Sequence, residues 1–155
     1  MTVFEQAEII LNGIEVIGDE IARLMEVVPA TPADADRLKQ ELGAPFTPLV
    51  FDVTDEAGWK AAVDKTVSTF GGLDVLVNNA GINRRGPLLE LTPDDWHMTM
   101  RVNVDAMFYL CREAIPHMIE QGGGAIVNTA SQWGLHPAPG HIAYNVSKSR
   151  PATAS

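Results

Sequence analysis

Tyr144 and Lys148 stand four residues apart in the run Tyr144-Asn145-Val146-Ser147-Lys148. On a helix that spacing places both side chains on one face, where they can approach the same small molecule. A tyrosine that gives or takes a proton near neutral pH works against an ordinary pKa of about 10, a gap of about 4 kcal/mol. A lysine ammonium ~6 Å away in an effective dielectric of ~20 supplies roughly 2.8 kcal/mol of this, about two pKa units. Ser131 lies upstream of the pair and could donate a hydrogen bond to a carbonyl or alcohol oxygen, stabilising charge that develops there. A Tyr and a Lys four apart are, alone, more often structural than chemical. The order of the surrounding elements decides the reading.

Those elements alternate between strand-like and helix-like runs, the pattern of a parallel sheet that binds ligands at its carboxyl ends. Phe46 to Val53 reads as a strand that ends beside Asp52, and Asp55 to Phe70 as a helix stopped by Gly71 and Gly72. Leu73 to Val77 is a second strand, running into the turn Asn78-Asn79-Ala80-Gly81. Thr92 as N-cap, Pro93 at the first helical position and the acids Asp94 and Asp95 open a long helix, expected to reach about Gln121. Pro116 should bend or end its last turns, and Gly122 to Gly124 terminate it. Ala125 to Ala130 is a third strand, which delivers Ser131, and a Gly/Pro-rich loop from Gly134 to Gly140 leads to a helix starting near His141.

Residues 1–45 form an atypical segment. Ile10, Ile14, Ile17, Ile21, Leu24 and Val28 make a heptad seam, which favours helices, while Gly13 and Gly18 weaken a helix by roughly 1 kcal/mol each. A pair of helices and a degraded strand–helix unit both fit. Pro29 to Pro32 reads as a break before a short helix from Ala33 to Leu42, so the chain divides into this segment and a domain over 46–155.

With 155 residues, 46% of them hydrophobic, the chain is long enough for one buried core. A formal net charge of -9 disfavours nucleic acid and anionic lipid as partners, though backbone N–H groups can still bind a small nucleotide. Cys111 has no second cysteine to pair with, the four histidines show no metal-ligand spacing, and no apolar run is long enough to span a bilayer. A cytoplasmic location is expected. Cys111 reads as a small helix-packing residue, and His97, His117, His136 and His141 as surface residues.

From about Phe46 to Lys148, the succession of Asp52, Asn78-Asn79-Ala80-Gly81, Asn103, Ser131 and Tyr144-x-x-x-Lys148 resembles the short-chain dehydrogenase/reductase family, and its 3-oxoacyl reductases in particular. The resemblance implies a Rossmann-like doubly wound parallel sheet, here incomplete at both ends, with NAD or NADP as cofactor. It makes Tyr144 the catalytic acid/base and Lys148 the group that lowers its pKa and holds the nicotinamide ribose, while a positively charged oxidised nicotinamide would lower the pKa further. Ser131 would orient the substrate, and Asn103 would anchor a proton-relay water. Asp52 and Val53 match the pair that contacts adenine, and Asn79, Ala80 and Gly81 the turn along the adenosine side. The implied activity is hydride transfer between nicotinamide and a small-molecule carbonyl or secondary alcohol.

The family's Thr-Gly-x-x-x-Gly-x-Gly turn, which cradles a pyrophosphate, is not matched. Its nearest counterpart, Asn12 to Gly18, carries Glu15 and Val16 in the middle, and Glu15 would repel a phosphate. Val27 to Thr31 offers neither a clear acid nor a clear base to choose between NAD and NADP, and Gln132 to His141 suggests a mixed polar and apolar substrate wall. An alternative is therefore a catalytically inactive truncated relative that binds nucleotide weakly or acts as an oligomerising protein. Missing strands would leave an exposed sheet edge, so a homo-oligomer is expected in either case.

Overall fold

The computed structural model describes residues 49 and 51–149, together with the backbone of 24–26. Three parallel strands form a sheet in the order β1 (Leu24–Glu26), β2 (Val75–Asn78), β3 (Ala125–Asn128). Leu24 pairs with Val75 and Val75 with Ala125, so the central strand ends level with β3, Asn78 opposite Asn128. Along β2 the burial alternates: Leu76 and Asn78 are buried while Val75 and Val77 are half-buried, as the period of two in a strand requires.

Helix α1 (Glu56–Phe70) starts where the Asp55 carboxylate accepts from the Ala57 amide, and ends at Gly71, whose left-handed φ of 80° favours glycine. Helix α2 (Pro93–Met100) is capped by the Thr92 hydroxyl, which accepts from the Asp95 amide. It passes through a π-helical turn, Arg101–Asp105, into α3 (Ala106–Glu120), making one continuous rod. Pro116 lies inside α3 without ending it, and Gly122 and Gly123, both at positive φ, turn the chain into β3. Helix α4 (Ile142–Lys148) follows a short 3₁₀ turn, Gln132–Gly134.

The core lies between β2, α1 and α3. Val63, Leu73, Leu76, Leu110 and Ala114 are buried there, and the rings of Trp59 and Tyr109 stack with centroids 4.5 Å apart. Burial of these side chains holds α1 and α3 against the strand whose carboxyl end carries the Asn78 turn.

Two expectations differ from the structure. Leu49, Phe51 and Asp52 belong to no strand, although Phe46 to Val53 reads as one. The Asp52 carboxylate turns the chain here by accepting from the Thr54 amide and hydroxyl, each at 2.8 Å. The helical alternative for residues 1–45 does not hold at Leu24–Glu26, where main-chain pairing with β2 competes successfully with the heptad seam. The remaining readings on 1–48, including the Asn12 to Gly18 stretch and Ala33 to Leu42, fall outside the described residues.

The indole Nε1 of Trp59 donates to the Val53 carbonyl at 2.7 Å inside the core. Trp59→Phe leaves that buried carbonyl unpaired and should lower unfolding stability by about 1–3 kcal/mol. In a urea titration the midpoint should fall at constant slope, and an unmoved midpoint would contradict the assigned packing.

Candidate active site

The carboxyl ends of β2 and β3 are locked together by side chains. Asn78 Nδ2 donates to Asn128 Oδ1 at 2.8 Å, the Thr129 amide donates to the Asn78 carbonyl at 3.0 Å, and the Thr129 hydroxyl donates to Asn79 Oδ1 at 2.9 Å. Asn78 Nδ2 also reaches Cys111 Sγ at 3.4 Å, and burial pushes that thiol's pKa up, with the Asn78 contact opposing it. Cys111 thus packs α3 against the strand end, as expected of it.

Asn103 sits in the π-helical turn, a widened turn that often marks functional sites. It is buried, and its amide is spent on two neighbouring segments. Oδ1 accepts from the Ile82 amide at 2.8 Å, and Nδ2 donates both to the Ile82 carbonyl at 2.9 Å and to Ser147 Oγ at 2.8 Å. Ser147 Oγ in turn donates to the Tyr144 carbonyl at 2.9 Å. One side chain therefore fixes the turn after β2 and the helix carrying Tyr144.

Lys148 Nζ donates to the Thr129 carbonyl at 2.8 Å. A methyl group built on Gly81 would lie 3.4 Å from Asn103 Oδ1 and 3.6 Å from Lys148 Nζ, so these three residues surround one spot. Burial of the ammonium lowers the pKa of Lys148 below its ordinary value. The backbone of Gly134 approaches the end of α4 so closely that a Cβ there would run into the Lys148 carbonyl. That approach seats the loop after β3 on the helix.

Ser131 caps the 3₁₀ turn, its Oγ accepting from the Trp133 amide at 3.2 Å. Its hydroxyl proton remains for another acceptor. Tyr144 is half-buried, with its ring edge-on to Trp133 at 5.8 Å between centroids. Its Oη has no protein partner among the described residues and is open to solvent. Asn79 and Ala80 follow β2 on the same turn as Gly81, Asn79 held by Thr129 and Ala80 packed against the core.

Asp52 and Val53 stand apart from this group: no described contact joins either side chain to Gly81, Asn103 or Lys148. Asp52 is exposed at the entry to α1, whereas the Val53 side chain is buried in the core, which leaves only its backbone for a ligand. The Arg101 guanidinium reaches the Thr54 carbonyl at 3.3 Å and links this corner to the π turn.

Sequence reasoning missed Ser147, Asn145 and the contacts of His141. Asn145 is buried and exchanges hydrogen bonds with Ala138, Nδ2 donating to its carbonyl at 2.9 Å. His141, expected at the surface, is half-buried: its ring lies 4.4 Å from that of Trp133 and its Nδ1 is 3.0 Å from Asn83 Oδ1. The available signal was two short polar residues inside the Tyr-x-x-x-Lys span.

Residues 15–150 match the family model described as short chain dehydrogenase. The chain belongs to that family, and its sheet is part of a Rossmann-like doubly wound α/β fold. It is 43% identical over 97 residues to D-threitol dehydrogenase of Mycolicibacterium smegmatis, covering 63% of this chain and 37% of that protein. With the 3-oxoacyl-(acyl-carrier-protein) reductase of Thermotoga maritima it shares 39% over 113 residues, 72% of this chain and 46% of the other. A crystal structure of gluconate 5-dehydrogenase from Burkholderia cenocepacia, in complex with NADP and tartrate, superposes with a TM-score of 0.71 at 36% identity, covering 82% of this chain and 50% of that one. The chain thus spans half or less of the length of each of these relatives.

The depressed pKa of Lys148 has a signed consequence. Between its folded pKa and the ordinary 10.5, the unfolded chain binds more protons than the folded one, so this residue makes stability rise with pH across that window. A ¹³Cε titration should place Lys148 below the other lysines, and Lys148→Met should lack this contribution to the rise. An ordinary lysine titration would contradict the burial.

Proposed function

We propose that this chain is an NAD- or NADP-dependent oxidoreductase that transfers hydride between nicotinamide and a small-molecule carbonyl or secondary alcohol. The observation that carries the reading is the convergence of Gly81, Asn103 and Lys148 at the strand ends, one helical turn from Tyr144. The described residues suit such a cofactor. Lys148 has three donors and the Thr129 carbonyl takes one, which leaves two for the hydroxyls of a ribose. Gly81 has no Cβ to obstruct an approach to the main chain of its turn. Asn79 and Ala80 would line the adenosine side with Gly81, and the exposed Asp52 carboxylate and the Val53 backbone would face adenine. The NADP held by the gluconate 5-dehydrogenase neighbour supports the same class.

When bound, the nicotinamide would supply the hydride acceptor or donor. The chain's own residues handle the proton and the geometry. Tyr144 Oη takes the proton from an alcohol or returns it to a carbonyl oxygen. The Lys148 ammonium favours the tyrosinate electrostatically, and Ser131 donates its free hydroxyl proton to the substrate oxygen. Asn103 holds the Ile82 turn and α4 in register, and in this reading a proton-relay water would be anchored at the π turn.

A second reading, a weak nucleotide binder or oligomerising protein without turnover, is favoured by apolar side chains left exposed: Val127 on the edge strand β3, and Phe108, Ile115 and Ile119 along α3. A homo-oligomer that covers these side chains belongs to both readings. Among the described residues no helix is long and apolar enough to cross a membrane.

Turnover of a panel of secondary alcohols and ketones, followed by nicotinamide absorbance, tests the proposal. Tyr144→Phe should reduce turnover at least about 100-fold with thermal unfolding unchanged. Undiminished turnover in the variant would contradict the role of Tyr144, and a wild-type chain that binds nucleotide but turns nothing over would support the second reading.

A further inference from the structure

Three aromatic rings meet where the loop after β3 joins α4. Trp133 lies 4.4 Å from His141 and 5.8 Å from Tyr144 between ring centroids, tilted against the first and edge-on to the second. All three side chains are half-buried, yet Trp133 Nε1, His141 Nε2 and Tyr144 Oη have no protein partner among the described residues and remain open to solvent. The cluster thus presents three polar atoms without a described partner.

The rings are held in place independently of any ligand. Asn145 clamps Ala138, and the Gly86 amide donates to the Gly140 carbonyl at 3.0 Å, so the segment between Trp133 and His141 is tied at both sides. Asn83 Oδ1 can only accept, so His141 Nδ1 donates to it, and in the neutral imidazole this leaves Nε2 as an acceptor. The indole Nε1 is a donor without acceptor capacity. The ring next to that of Tyr144 therefore carries one donor, and the ring packed on it, when neutral, one acceptor.

We propose that Trp133 and His141 form a hydroxyl-reading subsite next to Tyr144, which selects substrates carrying a second hydroxyl close to the reacting carbon. The inference rests on the oxidoreductase reading and names its substrate class: vicinal diols, polyols and their hydroxyketone products. A hydroxyl is the neutral group that both donates to His141 Nε2 and accepts from Trp133 Nε1. An alcohol without it, once bound, would cover both nitrogens and leave them unpaired, the kind of mismatch that discriminates most strongly between substrates.

The test compares 2,3-butanediol with 2-butanol, which differ by that hydroxyl alone. Long-range ¹⁵N–¹H spectra of the full chain report the Trp133 indole and the His141 imidazole directly, with Trp133→Phe to assign the indole. The diol should shift both signals saturably, while 2-butanol at equal concentration should shift neither. His141→Phe should weaken diol binding at least about tenfold, and His141→Gln, which keeps an acceptor oxygen, should recover most of it. Equal shifts from both alcohols, no shift from either, or equal loss in the two His141 variants would overturn the subsite. The spectra require neither cofactor nor turnover, so a chain that binds the diol and never oxidises it would contradict the oxidoreductase reading alone.

Discussion

The buried amide of Asn103 is the interaction on which the site depends. An asparagine offers an acceptor and two donors on one planar group, and here they meet an amide, a carbonyl and a hydroxyl on two separate segments. Ile82 belongs to the turn after β2, and Ser147 to the helix that carries Tyr144 and Lys148. Leucine could fill the volume but would orphan both Ile82 main-chain groups. Aspartate would lose the two donors and bury a charge. The π-helical turn widens the helix at this point and gives the side chain a position from which both segments are within reach.

Once that amide is in place, the electrostatics of the site follow from burial. Lys148 is drawn against the Thr129 carbonyl, away from bulk water, which lowers its pKa. The loop after β3 depends on the same helix, since Gly134 abuts the Lys148 carbonyl and Asn145 holds Ala138. Ser131, Trp133 and Tyr144 are thereby brought to one side of the sheet's carboxyl end, where parallel α/β sheets bind their ligands.

Much of this was legible in the sequence wherever a local signal dominates. Asp55 and Thr92 act as caps, Gly71 and the glycine run at 122–124 as stops, and the helix from Pro93 extends to Glu120 with Pro116 inside it. The Tyr144–Lys148 spacing lies on a helix as expected. Less legible was whatever depends on pairing across the chain. The run 46–53 is apolar enough for a strand, but the described part of it turns around the Asp52 carboxylate, and Leu24–Glu26 pairs with β2 despite a helical seam. Ser147 and Asn145 gave no sign in the sequence of their partners, because a hydrogen bond to Asn103 or Ala138 across 44 or 7 positions leaves no periodicity to read. His141 was misjudged for the same reason: its surroundings come from Trp133 and Asn83, on two different loops.

The central claim is that this arrangement holds a nicotinamide nucleotide. Calorimetric titration of the purified chain with NAD+, NADH, NADP+ and NADPH, with light scattering to establish that it is folded and to count subunits, tests it most directly. The account predicts saturable binding of at least one of the four, weakened when Lys148 is replaced by Met. A folded chain that takes up none of them would contradict it and leave Asn103, Tyr144 and Lys148 as an architecture without a ligand.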